Sequence, residues 1–232
     1  MRELLHAVSR ENAVLGYVSS FSTLSHLEAE GNFAAIGTRV RRSLHPYFAV
    51  KAVMESMVLD AVRLGLRAAI VNPTACMGPW DRRPRELCVV PMLASGELPA
   101  IIAGDVNIID VRDVASAVRA AIEQQRFGAR IVLSGHNSRT DALAARICEL
   151  AGAGAPRFRV PARLVAGGTL LAEAGWALLG RPSPMPAIGP LLVLERYPTE
   201  PGAEQRALGV LPRALDDTLR DSLAWYRRLG YC

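Results

Sequence analysis

Tyr47 and Lys51 stand four residues apart in the run HPYFAVKAVME, and Lys51 is the only lysine among 27 basic residues. Where arginine serves as the general surface cation, a lone lysine points to a task that needs a compact ammonium on a thin stem. Residues i and i+4 share one helix face, so the phenol and the ammonium are expected in the same space. A free phenol titrates at about 10, too high for acid–base work at neutral pH, and a neighbouring ammonium lowers that value by favouring phenolate. The pair reads as a proton shuttle. Ser20, at the end of the apolar run AVLGYVSS, would donate a hydrogen bond to a substrate oxygen whose charge changes in the reaction.

These groups need a scaffold that delivers Ser20 from a strand and Tyr47 and Lys51 from a helix. Residues 2–11 carry Leu4, Leu5 and Val8 on one helical face, and 13–20 read as a short strand. Residues 21–42 form a long loop rich in small and charged residues, and a helix follows over 45–65, opened by Ser43 and Pro46 and stopped at Gly65. LRAAIVNP (66–73) is a near-continuous β-type run, as expected of a parallel strand covered on both faces. Strand, crossover helix and strand make a βαβ unit. TACMGPWDRRPRE then forms a loop at a strand's C-terminal end, where open α/β sheets place ligands. Further on come a short strand and a helix capped by Asp110 (107–124), a strand at 129–135, and helices over 139–151, about 161–180 and 212–229. The fold class is α/β, with a core over 1–135 and a smaller, mainly helical lobe over 136–232.

Composition narrows the function. The chain has 232 residues, half of them hydrophobic and 21% charged, which describes a globule rather than a disordered or coiled-coil protein. Its net charge of +5 is scattered, with tight clusters only at Arg39, Arg41, Arg42 and at Arg82, Arg83, Arg85, so nucleic acid is not an expected partner. Cys76, Cys88, Cys148 and Cys232 form no C-x-x-C pair, and His6, His26, His45 and His136 lack ligand spacing, so no metal is expected. Cys76 reads as a small buried hydrophobe, and Trp176 and Trp225 as core residues. No apolar signal core opens the chain, which suits a reducing cytoplasm. The stretch 164–180 is too short to span a membrane comfortably and holds Glu173, which favours a buried or interfacial helix.

Ser20, Tyr47 and Lys51, in that order and on those elements, resemble the short-chain dehydrogenase/reductase family. The resemblance is closest to its extended branch of nucleotide-sugar epimerases, dihydroflavonol reductases and 3β-hydroxysteroid dehydrogenases. It is carried by GYVSSFSTLS (16–25), YFAVKAVME (47–55), LRAAIVNPTACMGPWD (66–81), NIIDVRDVASAV (107–118) and 204–230, in family order. It implies the C-terminal part of a Rossmann-like parallel sheet, NAD or NADP as cofactor, and a small-molecule substrate with a secondary alcohol or ketone. Tyr47 would be the acid/base. Lys51 would bind the nicotinamide ribose and lower the tyrosine pKa, and Asn72, Pro73, Thr74 and Ala75 would lie against the nicotinamide. Ser20, Thr23, Arg82 and Arg83 would contact substrate, and Asp110 and Asp113 would hold the junction with the substrate lobe. The charge-poor region after 160 favours an apolar or carbocyclic substrate. The helices at 2–11 and 45–65 match those many relatives use for dimerisation.

One family feature has no counterpart in this sequence: a strand and glycine-rich turn that cradles the cofactor pyrophosphate. The strand at 13–20 is therefore expected to pair with 66–73 on one side and to keep a free edge on the other. The alternatives are a longer gene product, another chain completing the sheet, or a cofactor-free relative acting as an acid–base enzyme or an interaction subunit.

Overall fold

A computed structural model describes residues 1–26, 46–181, 183, 187–194 and 200–232. Helix α1 (Arg2–Arg10) leads into strand β1 (Leu15–Val18), followed by a 3-10 turn over Phe21–His26. Ser43 and most of the expected loop lie outside the described residues. Helix α2 (Pro46–Arg63) starts on a proline, which needs no N–H in a first turn, and ends at Gly65, whose φ of +99° a side chain would resist. Strands β2 (Ala68–Pro73) and β3 (Ala75–Met77) precede helix α3 (Val89–Ala94), strands β4 (Ala100–Ala103) and β5 (Asp105–Asp110), and helix α4 (Val111–Glu123). Then come β6 (Arg130–Leu133), β7 (His136–Arg139), α5 (Thr140–Ala151), β8 (Phe158–Pro161), α6 (Ala162–Leu178), α7 (Ile188–Val193), α8 (Ala203–Ala207) and α9 (Leu215–Arg228).

The chain divides into two compact units that interleave along the sequence. The first gathers the described parts of 1–76 and 198–212, with 109–135, around a parallel sheet ordered β1-β2-β6. Leu15 pairs with Ala68 and Val18 with Val71, while Ile70 pairs with Arg130 and Pro73 with Leu133. All six β2 residues are buried, as expected of a parallel strand covered on both faces. Alternate residues serve opposite faces: Ala69 and Val71 join Val114, Ala117 and Ala121 of α4, whereas Ala68 and Ile70 join Val58 of α2. Gly16 lets α4 approach β1, since a Cβ there would lie 2.8 Å from Val118 Cγ1. Among the described residues no strand pairs with the other edge of β1.

The second unit takes 77–108, the described part of 136–197, and 213–232. It holds the parallel pair β4/β8 and the antiparallel pairing of β5 with β7, in which Asp105 faces Arg139. Helix α9 packs on α3 and α5. Trp225, read as core, is buried there, and its Nε1 donates to the Asp81 carbonyl at 2.8 Å. His136 shares a 2.8 Å hydrogen bond with the Arg213 carbonyl. Helix α6 differs from the buried alternative: Ala162, Ala166 and Thr169 face inward and most of the helix is open to solvent. Among the described residues no helix is long and apolar enough to cross a membrane.

Candidate catalytic site

The α2 helix carries Tyr47, Lys51 and Glu55 at successive i+4 steps, which places all three along one face. Phe48 and Val58 anchor the helix in the core. Opposite, the β1 ladder continues one residue beyond the strand through Ser19 N–H to the Val71 carbonyl at 2.8 Å. The chain then turns sharply, with Thr23 N–H bonding the Ser20 carbonyl at 3.1 Å. Ser20 and Ser22 share a 2.9 Å hydroxyl contact.

Glu55 is fully buried and ties these pieces together. Its Oε2 accepts from Ser19 Oγ, from Thr23 Oγ1 at 2.6 Å and from Asn72 Nδ2 at 2.7 Å. Arg130 Nη1 stands 3.7 Å from Glu55 Oε1, supplying a counter-charge from β6. Asn72 Nδ2 donates to the Ser20 carbonyl at 3.1 Å, and the single Thr23 hydroxyl proton is shared between Glu55 and that carbonyl, 2.7 Å from Thr23 Oγ1. The backbone of Ser20 is thus fixed by two side chains that Glu55 itself holds. The sequence reading missed Glu55. The available signal was an acidic residue inside the apolar run AVMESMV, one further i+4 step beyond Lys51.

Ser20 and Tyr47 are brought together, close enough for the serine side chain to pull the phenol's pKa downward. Burial nevertheless raises the Tyr47 pKa above its ordinary value, and the opposing pull of Ser20 is smaller. This corrects the expected depression by Lys51. The lysine ammonium acts instead on Cys76, whose thiol is pushed up to about 11 by desolvation of the sulfur and by the Asp110 carboxylate, with Lys51 opposing both. Cys76 is exposed rather than a buried hydrophobe, yet at that pKa it is a poor nucleophile at neutral pH.

Asn72 is wholly buried, and its side-chain amide is turned inward to Thr23 and Glu55. The Thr74 N–H is taken by the Leu133 carbonyl at 2.9 Å. Thr23 is likewise inward-facing and holds Ser20 from behind. Asp110 caps α4 through the Arg112 N–H at 2.8 Å, and Asp113 is buried in that helix's first turn. Arg82 and Arg83 belong to the second unit. Arg83 binds both carboxylate oxygens of Asp81, while the Arg82 guanidinium carbon lies 5.9 Å from the Trp225 ring centre. Among the described residues no three His, Cys, Asp or Glu side chains gather as a metal-ligand group.

A nicotinamide ribose is a sound fit for the Lys51 end of this site. The half-buried ammonium has no carboxylate partner among the described residues, and it sits on the tyrosine's helix face close enough to act on Cys76 at the start of β3.

Residues 1–160 match the model of the NAD dependent epimerase/dehydratase family. Sterol demethylase protein B of Methylococcus capsulatus is 30% identical over 188 residues, covering 79% of this chain and 57% of that protein. A putative dihydroflavonol 4-reductase of Synechocystis is 26% identical over 197 residues, covering 83% and 57%. The chain thus spans about 57% of the length of these two curated relatives. Among solved structures, a nucleoside-diphosphate-sugar epimerase from Pseudomonas aeruginosa superposes with a TM-score of 0.72 at 23% identity, covering 98% of this chain and 71% of that one. A dTDP-glucose 4,6-dehydratase from Bacillus anthracis, solved with NAD, gives 0.65 at 14% identity, covering 97% and 65%. Both show the Rossmann-like α/β fold of this chain.

Proposed function

The chain belongs to the NAD dependent epimerase/dehydratase family, and from that premise we propose that it serves an NAD(P)-dependent oxidoreductase or epimerase reaction at a secondary alcohol or ketone. The observation that carries this reading is that the Ser20 side chain acts on the Tyr47 phenol, with Lys51 one helical turn away on the same face.

When bound, the nicotinamide supplies or accepts the hydride at the substrate carbon. The proton is the task of Tyr47. With its pKa raised, the phenol is protonated at neutral pH and acts as the acid toward a carbonyl oxygen, becoming phenolate as the oxygen becomes hydroxyl. Ser20 Oγ stabilises the charge that develops on that oxygen. Lys51 holds the ribose hydroxyls and favours the phenolate once it forms, and the backbone of Pro73–Ala75 flanks the ring. The reverse direction uses the same groups with the proton moving back to Tyr47.

The substrate is small and apolar or carbocyclic. Of the three clustered arginines after β3, Arg83 is already paired with Asp81 and Arg85 with Glu97, which leaves that cluster little to offer a diphosphate. Thr23 acts through the Ser20 carbonyl. Exposed Leu4 of α1 and Val50 and Val53 of α2 support a homodimer formed through those helices, and the open β1 edge supports a further strand beside it.

Titration of NADH and NADPH fluorescence with the folded chain, followed by turnover of a panel of apolar ketones, tests the redox reading. Turnover of a substrate by acid–base chemistry with no nicotinamide affinity would replace it with a cofactor-free reaction at the same three residues.

A further inference from the structure

Leu164, Leu171 and Leu178 of α6 are 70%, 77% and 89% exposed, unusual values for leucines on a single helix. Their seven-residue spacing drifts by only about 20° per repeat on a straight helix, so they form one line along it. Exposed Gly168 and Gly175 lie between them, and Leu179, also exposed, extends the apolar surface at its end. Ala162, Ala166 and Thr169 occupy the opposite, inward face.

The charges decide what this stripe meets. Glu173 is the only acidic residue of α6; it lies on the inward side, where its Oε1 accepts the Ala187 N–H at 2.8 Å. Arg163 in the first turn and Arg181 just past the helix are both exposed. A second copy of the stripe, run parallel or antiparallel, would bring arginine against arginine with no exposed acid on the helix to separate them. An anionic surface would pair with both ends at once. Seventeen residues of helix measure about 25 Å, shorter than a hydrocarbon core of about 30 Å. We propose that α6 docks lengthwise on an anionic lipid bilayer, its leucine line in the acyl boundary and Arg163 and Arg181 at the phosphates.

Cosedimentation of the full chain with phosphatidylcholine vesicles, with and without phosphatidylglycerol, tests this. Binding is expected with phosphatidylglycerol and should weaken as salt rises. Leu171→Glu with Leu178→Glu should cut binding by at least about tenfold. Arg163→Gln with Arg181→Gln should cut it by roughly fivefold per arginine. All four side chains are exposed, so circular dichroism of the variants should match the parent. The proposal fails if no vesicle binds, or if binding ignores the leucines. It also fails if the leucine changes instead abolish a dimer seen by sedimentation equilibrium of a chain that does not bind lipid.

Discussion

Glu55 Oε2 accepts a hydrogen bond from Asn72 Nδ2 at 2.7 Å, joining α2 to β2 directly behind the Ser20 carbonyl. The helix that presents Tyr47 and Lys51 is thereby fixed to the strand end that presents Ser20. The spacing of the acid–base groups depends on a residue that touches none of them.

Glu55→Ala would remove, from a buried site, the acceptor shared by the Asn72 amide and the Ser19 and Thr23 hydroxyls, together with the carboxylate that faces Arg130. Breaking a buried pair of this kind costs about 3–5 kcal/mol. Urea unfolding should show a loss of that size, and Glu55→Gln, which keeps one acceptor oxygen, should lose clearly less. Equal stability of parent and alanine variant would remove Glu55 from the framework.

Much of this arrangement was legible in the sequence because it follows from periodicity. The i+4 step put Tyr47 and Lys51 on one face, the near-continuous β-type run 66–73 announced a doubly covered strand, and Asp110 before an apolar helix announced a cap. The rest depended on contacts between distant residues. No local pattern says that Asn72 turns inward, that Thr23 bonds back to Ser20, or that burial outweighs its neighbours at Tyr47. The same is true of the interleaved units, since 109–135 rejoins 1–76 through the pairing of β2 with β6 and the packing of α4 on β1 and β2. For helix α6 the sequence left a buried and an interfacial position open, and only the fold shows which side remains exposed.

Cys76 reports the position of Lys51. With its thiol at about 11, alkylation by iodoacetamide at neutral pH should be slow despite exposure, and should accelerate only as pH approaches that value. Lys51→Met removes the one cation that favours the thiolate, so Cys76 should react more slowly still. Peptide mass spectrometry resolves it from Cys232, and an unchanged rate would place Lys51 away from β3.

Asp81 gives the second unit a defined response to acid. The Arg83 guanidinium, more than any other group, holds its carboxyl well below the ordinary range, and Tyr226 donates to it at 2.8 Å. A depressed carboxylate contributes stability above its unfolded pKa of about 4 and loses it as pH falls through the folded value. Asp81→Asn should therefore lower Tm near neutrality, and the gap to the parent should close on acidification below about 4. A gap independent of pH would mean that packing, not charge, is at stake.

The most direct test of the account is the turnover of Tyr47→Phe beside the parent chain, on any ketone or alcohol the parent converts, with folding of both confirmed by circular dichroism. Loss of the phenolic proton should reduce kcat by about 10²–10⁴-fold while leaving nicotinamide affinity, assigned to Lys51, nearly unchanged. Activity within a fewfold of the parent would contradict the assignment of Tyr47 as the acid and, with it, the reading of the Ser20–Tyr47–Lys51 site.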